Sequence, residues 1–411
     1  MNKLKTIFSP RKLIVWIFLI VLIITIPEIT KPAMSKTEAI VTMMSIDKID
    51  DKIKISTAVI TPSTEKTTNY EVYSGVGETV GEAVENVSLS LGKSMGFAQC
   101  EIMAFGENLS QEGIMSSLDF MTRTRRVGRN AILINFSGEV EEFQQAVVNL
   151  NIEKSIPLED VINFDKRYIP SEDSNIHSFY KGYFSEISIG IMPKIQLLTE
   201  KTDNAITVES GATGGGNSNE PGSGMGGQNN QKHILNDGTV TVFKFGKKFL
   251  ELTPEQMQKL NLLSNVEQEG TLKVENVNDE LFKNSNIVLN IHDKHLNLKP
   301  KFNNNKPIMD INIELAVLVE EVDEEKPTKS FLKRNKEFLT PELVEKTKET
   351  VKQNCLEIIN LCKEKKVDLI GVYENFYRKE YKKFKNYYEK TQEKYLDNVE
   401  FNINVKVSST Y

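Results

Sequence analysis

A chain of 411 residues with 39% hydrophobic content has room for one to three folded units, at roughly 100–200 residues per domain. Its 51 basic and 57 acidic residues leave a formal charge of −6, which gives no electrostatic reason to expect nucleic acid. Three cysteines, Cys100, Cys355 and Cys362, are too few for a disulfide framework.

Lys3, Lys5, Arg11 and Lys12 precede an apolar run from Leu13 to Ile26. The positive flank predicts a cytoplasmic N-terminus, with the rest crossing the membrane. The run is shorter than the roughly 17–25 residues of a membrane span and suits the core of a signal peptide. The following "IPEITKPAMS" offers a poor cleavage site, because Ala33 before the cut would put Lys31 two positions earlier. Phe8 and Ile29 lengthen the apolar stretch, and Arg11 and Lys12 can snorkel to the interface. The expectation is a retained anchor through Leu13, Trp16, Phe18, Leu19, Leu22 and Ile26, with a cleaved signal as the alternative. No cysteine lies near enough for lipid attachment.

"EAIVTMMSIDKID" and "KIKISTAVI" read as two strands turning at Asp50 and Asp51. Val80, Ala83, Val84, Val87 and Leu91 have helical spacing, and "FAQCEIMAF" reads as a buried strand. Ser110 is the expected cap of a helix with a stripe at Ile114, Leu118 and Met121. "NAILINF" predicts a strand and "EVEEFQQAVVNL" a helix; residues 157–200 add one or two helices and Pro193. Residues 209–231, rich in glycine, serine and asparagine, read as a flexible linker; no GK[ST] accompanies the glycines.

Beyond the linker, "GTVTVFKFGKKFLEL" predicts a hairpin turning near Gly246. Thr253, Pro254 and Gln256 spell a capping box with proline at the first helical position. "GTLKVENV", "NIVLNIHDKHLNLKP" and "IMDINIELAVLVEEV" read as strands. A helix opens at Thr340 with a stripe of Leu343, Thr347, Val351, Cys355, Ile358 and Cys362; seven residues apart on one helix, the two cysteines stay reduced. A further helix carries Tyr377, Tyr381, Phe384 and Tyr388 as core-facing aromatics. Val399, Phe401, Ile403, Val405 and Val407 alternate with polar residues, which predicts a half-buried antiparallel strand beside residues 308–320.

The fold class is therefore α+β: an anchor helix followed by two or three mixed α/β domains with antiparallel or mixed sheets. The divisions are a basic end with anchor or signal (1–30), an N-terminal α+β domain (33–205), the linker (206–235) and a C-terminal α+β region (236–411). A candidate further split falls near 305–330.

No catalytic constellation is visible: GxSxG, HExxH and a Cys-His pairing are all missing. His292 and His295 form HxxH, but on a strand positions i and i+3 face opposite sides, so no metal site is expected. No cofactor is expected either. "EEVDEEK" and "EVEEF" read as solvated faces. "NFYRKEYKKFKNYYEKTQEKY" reads as core-facing aromatics with a solvated basic face, anionic lipid headgroups being a minor option. Arg123, Arg125, Arg126 and Arg129 form one dense basic cluster, either a solvated helix end or a contact for an acidic partner surface.

The order of these pieces resembles the Ger(x)C family, the GerAC-like C subunit of spore nutrient germinant receptors. Four stretches carry the resemblance: residues 35–63, with Asp47 after the first apolar strand; 77–134; 238–263; and 363–407, with Asp368 and Gly371 in a D-x-x-G pattern. Together they run through nearly the whole chain. The family's usual lipobox cysteine is missing, Gln99 stands where a histidine often follows the glycine, and Phe384 or Tyr387 replaces a common tryptophan. The resemblance implies a non-catalytic, extracytoplasmic subunit of separate α+β domains on the spore inner membrane. It implies polytopic A- and B-type receptor subunits as partners, and contact with the small-molecule nutrient only through them.

Overall fold

The computed structural model describes residues 38–61, 69–154, 158–163, 174–199, 232–264, 270–279, 281–323 and 339–409. The expected anchor residues and linker residues 206–231 lie outside them, whereas 232–235, also assigned to the linker, form a strand; among the described residues no helix is long and apolar enough to cross a membrane.

A ten-stranded mixed sheet forms the first body. Strands β1 (Glu38–Ile49) and β2 (Lys52–Thr61) make the expected hairpin. Asp50 and Asp51 both have positive φ, the backbone twist that a two-residue hairpin loop requires. β3 (Asn69–Gly77) extends this edge, and helix α1 (Val80–Leu91) folds back on it, capped by Thr79 and ended by Gly92 in the left-handed region. β3 is not among the expected strands; it carries Gly75 and Gly77. The glycines are there for proximity: a Cβ on Gly75 would lie 2.5 Å from the Ala83 carbonyl oxygen.

β4 (Ser94–Gly96) and β5 (Ile102–Gly106) then pair parallel to β1. The expected strand through "FAQC" is a turn, and only its second half enters the sheet. Two short helices follow, α2 (Glu107–Glu112) and α3 (Met115–Thr124). Ser110 is thus inside a helix and fully buried rather than a cap; Gly113, at φ 127, separates the two helices. The stripe Ile114, Leu118 and Met121 is fully buried, as its spacing predicts.

β6 (Ile132–Ser137), helices α4 (Val140–Lys154), α5 (Leu158–Asn163) and α6 (Ile176–Tyr183), and β7 (Ile189–Thr199) complete a parallel run β1-β5-β6-β7. Alternation sends Met44, Met103 and Phe105 into a core with α1, α3 and α6. It sends Met43, Ile102 and Ala104 into the opposite core with α4 and α5. The body is therefore three layers, helix–sheet–helix.

The sheet does not stop at the linker. β8 (Lys232–Leu235), β9 (Val240–Lys244) and β10 (Lys247–Leu252) all join it through β7. Residues 236–252, read as the start of the C-terminal region, thus finish the first sheet before the chain leaves it. Phe245 and Gly246 form the β9–β10 turn, both with positive φ.

The second body begins at helix α7 (Pro254–Asn261), where Thr253 and Gln256 form the full capping box. β11 (Gly270–Val277), β12 (Ser285–Asn303), β13 (Lys306–Asp323) and β14 (Glu400–Ser409) make a four-stranded sheet in that order. β12 and β13 pair continuously through a turn at Asn304–Asn305, so the candidate split near 305–330 falls inside one hairpin. Helix α8 (Pro341–Lys365) buries every residue of its predicted stripe. Short helices α9 (Val372–Lys379) and α10 (Tyr381–Thr391) follow it.

Two expectations are overturned here. β14 lies beside β13 as predicted but runs parallel to it, since α8 to α10 carry the chain back to the same end. And the expected single aromatic helix is two, broken at Glu380; Phe376 and Phe384 face the core while Tyr377 and Tyr381 are exposed. Val240, Val242 and Leu252 belong to the core of this second body, whereas Phe243 on the other face of β9 belongs to the first. β9 is the shared wall between the two.

Candidate functional site

Both acidic residues carrying the resemblance are buried and committed to backbone groups. Asp47 ends the apolar part of β1; its Oδ1 accepts the Leu109 N–H at 2.8 Å and its Oδ2 the Asn108 Nδ2–H at 3.3 Å. It holds α2 against the sheet. Burial pushes its carboxyl pKa up, backbone donors work against this, and Glu107 adds to the rise. Asp368 accepts the N–H groups of Ile370, Val372 and Tyr373 and the hydroxyl of Tyr395 at 2.7 Å. Gly371 sits in the left-handed region at φ 76, which turns the chain so that these donors converge. The D-x-x-G pattern is thus the start of α9, a structural clasp with nothing left over for a ligand.

Further polar links fasten strands from before and after the linker to one another. Asn135 on β6 donates to the Phe105 carbonyl and the Ser110 hydroxyl, and accepts from Thr241 on β9 at 2.9 Å. Lys194 on β7 pairs with Glu107 at 2.9 Å and Glu251 at 2.6 Å, and Lys248 contacts the same two carboxylates. Two cations on two anions make a closed, neutral network rather than a reactive site.

The arginine cluster sits where α3 ends. Arg123 pairs with Asp119 at 3.0 Å, and Arg126 adopts φ 61. Arg123, Arg126 and Arg129 are exposed, while Arg125 is half-buried with its guanidinium 5.7 Å from the Phe120 ring centroid. Arg123, in the last turn of α3, is held by Asp119, while Arg126 and Arg129 lie on the loop that follows; the cluster has no catalytic geometry.

A bulge between Ile291 and Asp293 breaks the alternation of β12, so His292 and His295 are both exposed instead of facing opposite sides. No group of three or more potential metal ligands exists among the described residues. All three cysteines are free and buried, and burial pushes each thiol up to about 12, which keeps it protonated and inert.

A cavity of about 590 Å³ opens between α7, β11, β12 and α8. Lys294, on the bulged stretch of β12, reaches into it and donates to the Asn261 carbonyl. No carboxylate of the described residues pairs with it, and burial lowers its ammonium pKa to about 8. Gln258, Thr271, Thr350 and Gln353 supply neutral hydrogen-bonding groups. Sequence reasoning missed Lys294, because the bulge that turns it inward has no signature in "IHDKHL".

Residues 36–197 match the family model described as a spore germination protein N-terminal domain. Residues 238–410 match that described as spore germination B3/GerAC-like, C-terminal. A solved structure described as the crystal structure of the GerBC protein aligns over 90% of this chain and 97% of its own, at 14% identity and a TM-score of 0.48. No curated protein matches the sequence.

Proposed function

This chain belongs to the Ger(x)C family of spore germination proteins, and from that premise we propose that it is a non-catalytic, membrane-associated subunit of a germinant receptor. In this reading the two bodies lie outside the cytoplasm, on the spore inner membrane, and take part in nutrient-triggered germination through protein contacts with polytopic A- and B-type subunits. The observation that carries the reading is the pair of family matches, N-terminal then C-terminal, on either side of residues 198–237. The inert thiols and the closed Lys194–Glu107–Lys248–Glu251 network fit a scaffold better than an enzyme. The exposed heads of Arg123, Arg126 and Arg129 offer a contact for an acidic partner face, with Arg125 supporting the loop from beneath. Without a lipobox cysteine, the apolar run Leu13–Ile26 serves as the tether. Purification of the full chain from spore membranes in mild detergent is the test. Co-purification of the two polytopic subunits supports the reading, and recovery of the chain alone overturns it.

The cavity at Lys294 favours a second reading, a stand-alone membrane-anchored binding protein for a small ligand or wall polymer. It predicts a ligand-dependent rise in melting temperature that Lys294→Met abolishes.

A further inference from the structure

Five large aromatic side chains are exposed among the described residues: Phe184, Phe245, Phe249, Tyr377 and Tyr381. They are not scattered. Phe184 packs edge-on to Tyr183 at 5.1 Å, and Tyr183 lies against the Gly246 turn beside Phe245. Lys244 places its ammonium 5.7 Å and 5.5 Å from the Phe245 and Phe249 centroids, and 3.8 Å from Glu393 just beyond α10. Tyr377 and Tyr381 meet edge-to-face at 4.9 Å. Glu186, two residues from Phe184, lies close enough to bear electrostatically on Tyr373, Tyr377 and Tyr388. All five rings therefore border one junction, where the β9–β10 turn and the 184–188 loop meet α9 and α10.

Phe245 is the telling member. It is 56% exposed and sits at φ 51, in a turn position where Asn, Asp or Gly is at ease and a bulky side chain is strained. Neither burial nor backbone preference explains a phenylalanine there. A surface contact does.

The cations around the rings identify the contact. Lys181, Lys247, Lys382, Lys383 and Lys385 are all exposed, against a single exposed arginine, Arg378. Protein interfaces favour arginine and deplete lysine, whereas lysines with tyrosine and phenylalanine are the set that seats at a lipid headgroup layer. Residues 378–390 carry six cations and two anions on a chain whose net charge is −6. We propose that this surface docks on the anionic headgroups of the bilayer, its aromatic rings entering the interface and its lysines meeting lipid phosphates. Docking would hold the shared wall β9, and with it both bodies, flat against the membrane. The inference rests on the membrane-associated reading above.

The full chain contains one tryptophan, Trp16. A Trp16→Phe, Tyr381→Trp variant, reconstituted into vesicles of phosphatidylcholine with or without phosphatidylglycerol, reports on the patch alone. Docking predicts blue-shifted emission, quenched by brominated lipid, only with phosphatidylglycerol, and reversed in molar salt. Replacing Lys382, Lys383 and Lys385 by Gln should shift the docked-to-free ratio roughly 100-fold toward free. Phe245→Asn should weaken quenching without lowering the melting temperature. Water-like emission in phosphatidylglycerol vesicles, or equal quenching without it, overturns the proposal, as does a blue shift that appears only when the polytopic subunits are added. Quenching of Trp16 in the unsubstituted chain reads the anchor separately, so loss of one signal with retention of the other tells the two failures apart.

Discussion

Tyr395 donates its hydroxyl to Asp368 Oδ2 at 2.7 Å, across 27 residues, and in doing so ties the end of α10 to the start of α9. The same side chain gathers three backbone N–H groups, so one buried carboxyl group holds two helix ends and the turn at Gly371. Asp368→Ala leaves those donors without an acceptor and should cost at least about 2 kcal/mol in chemical denaturation. Tyr395→Phe should cost about 1 kcal/mol, and the double variant less than the sum, because the two side chains share one bond.

Gly106 lies against Asp47 so closely that a Cβ there would fall 2.2 Å from the Asp47 carboxyl carbon. Gly106→Ala must push α2 off the sheet and should destabilise by about 2–3 kcal/mol, measured by urea titration.

Asp47 also sets a pH dependence. Its folded pKa is raised above 3.8, chiefly by burial. Its contribution to stability is therefore full below pH 3.8 and is lost as pH rises through the folded value. Relative to the wild type, Asp47→Asn should flatten the stability profile in the range just above pH 3.8, as followed by thermal melts across buffers.

Lys294 works in the other direction. Burial lowers its pKa from 10.5 to about 8, so the unfolded chain binds the extra proton between those values. Stability should rise with pH from about 8 to 10.5 and Lys294→Met should remove that rise. Mass-spectrometric labelling with an amine-acylating reagent at pH 8 checks whether Lys294 is the lysine with the larger neutral fraction.

Substituting Arg123, Arg126 and Arg129 together by Ser should leave the melting temperature within about 1 °C, since all three heads are exposed and the one ion pair, to Asp119, is a surface pair worth little. Under the receptor reading, recovery of the partner subunits from detergent extracts should fall at least several-fold.

Local chemistry was legible wherever neighbours along the chain decide the outcome. Thr253, Pro254 and Gln256 spell their capping box in consecutive residues, and the α8 stripe from Leu343 to Cys362 follows from 3.6 residues per turn. Asp50–Asp51 and Phe245–Gly246 mark hairpins because two residues suffice to close one. The family resemblance, too, lay in the order of such pieces.

Sequence failed where distant segments decide. No element is expected at residues 69–77, where β3 forms against α1, and Ser110 looks like a cap until Asn135 claims its hydroxyl inside a helix. Tyr377 and Tyr381 share spacing with buried rings, yet the break at Glu380 turns them outward. The alternation in β14 fixed which side chains face inward but not its direction, since a strand reads the same beside a parallel or an antiparallel neighbour. The sequence by itself determined the periodicities, the caps, the turns and the family. The tertiary structure alone decided that β8 to β10 complete the first sheet, that a bulge aims Lys294 into a cavity, and that five aromatics from three segments converge. Each of those depends on pairing across large sequence separations, where hydrogen-bond registers and close packing select among arrangements that local preference leaves equal.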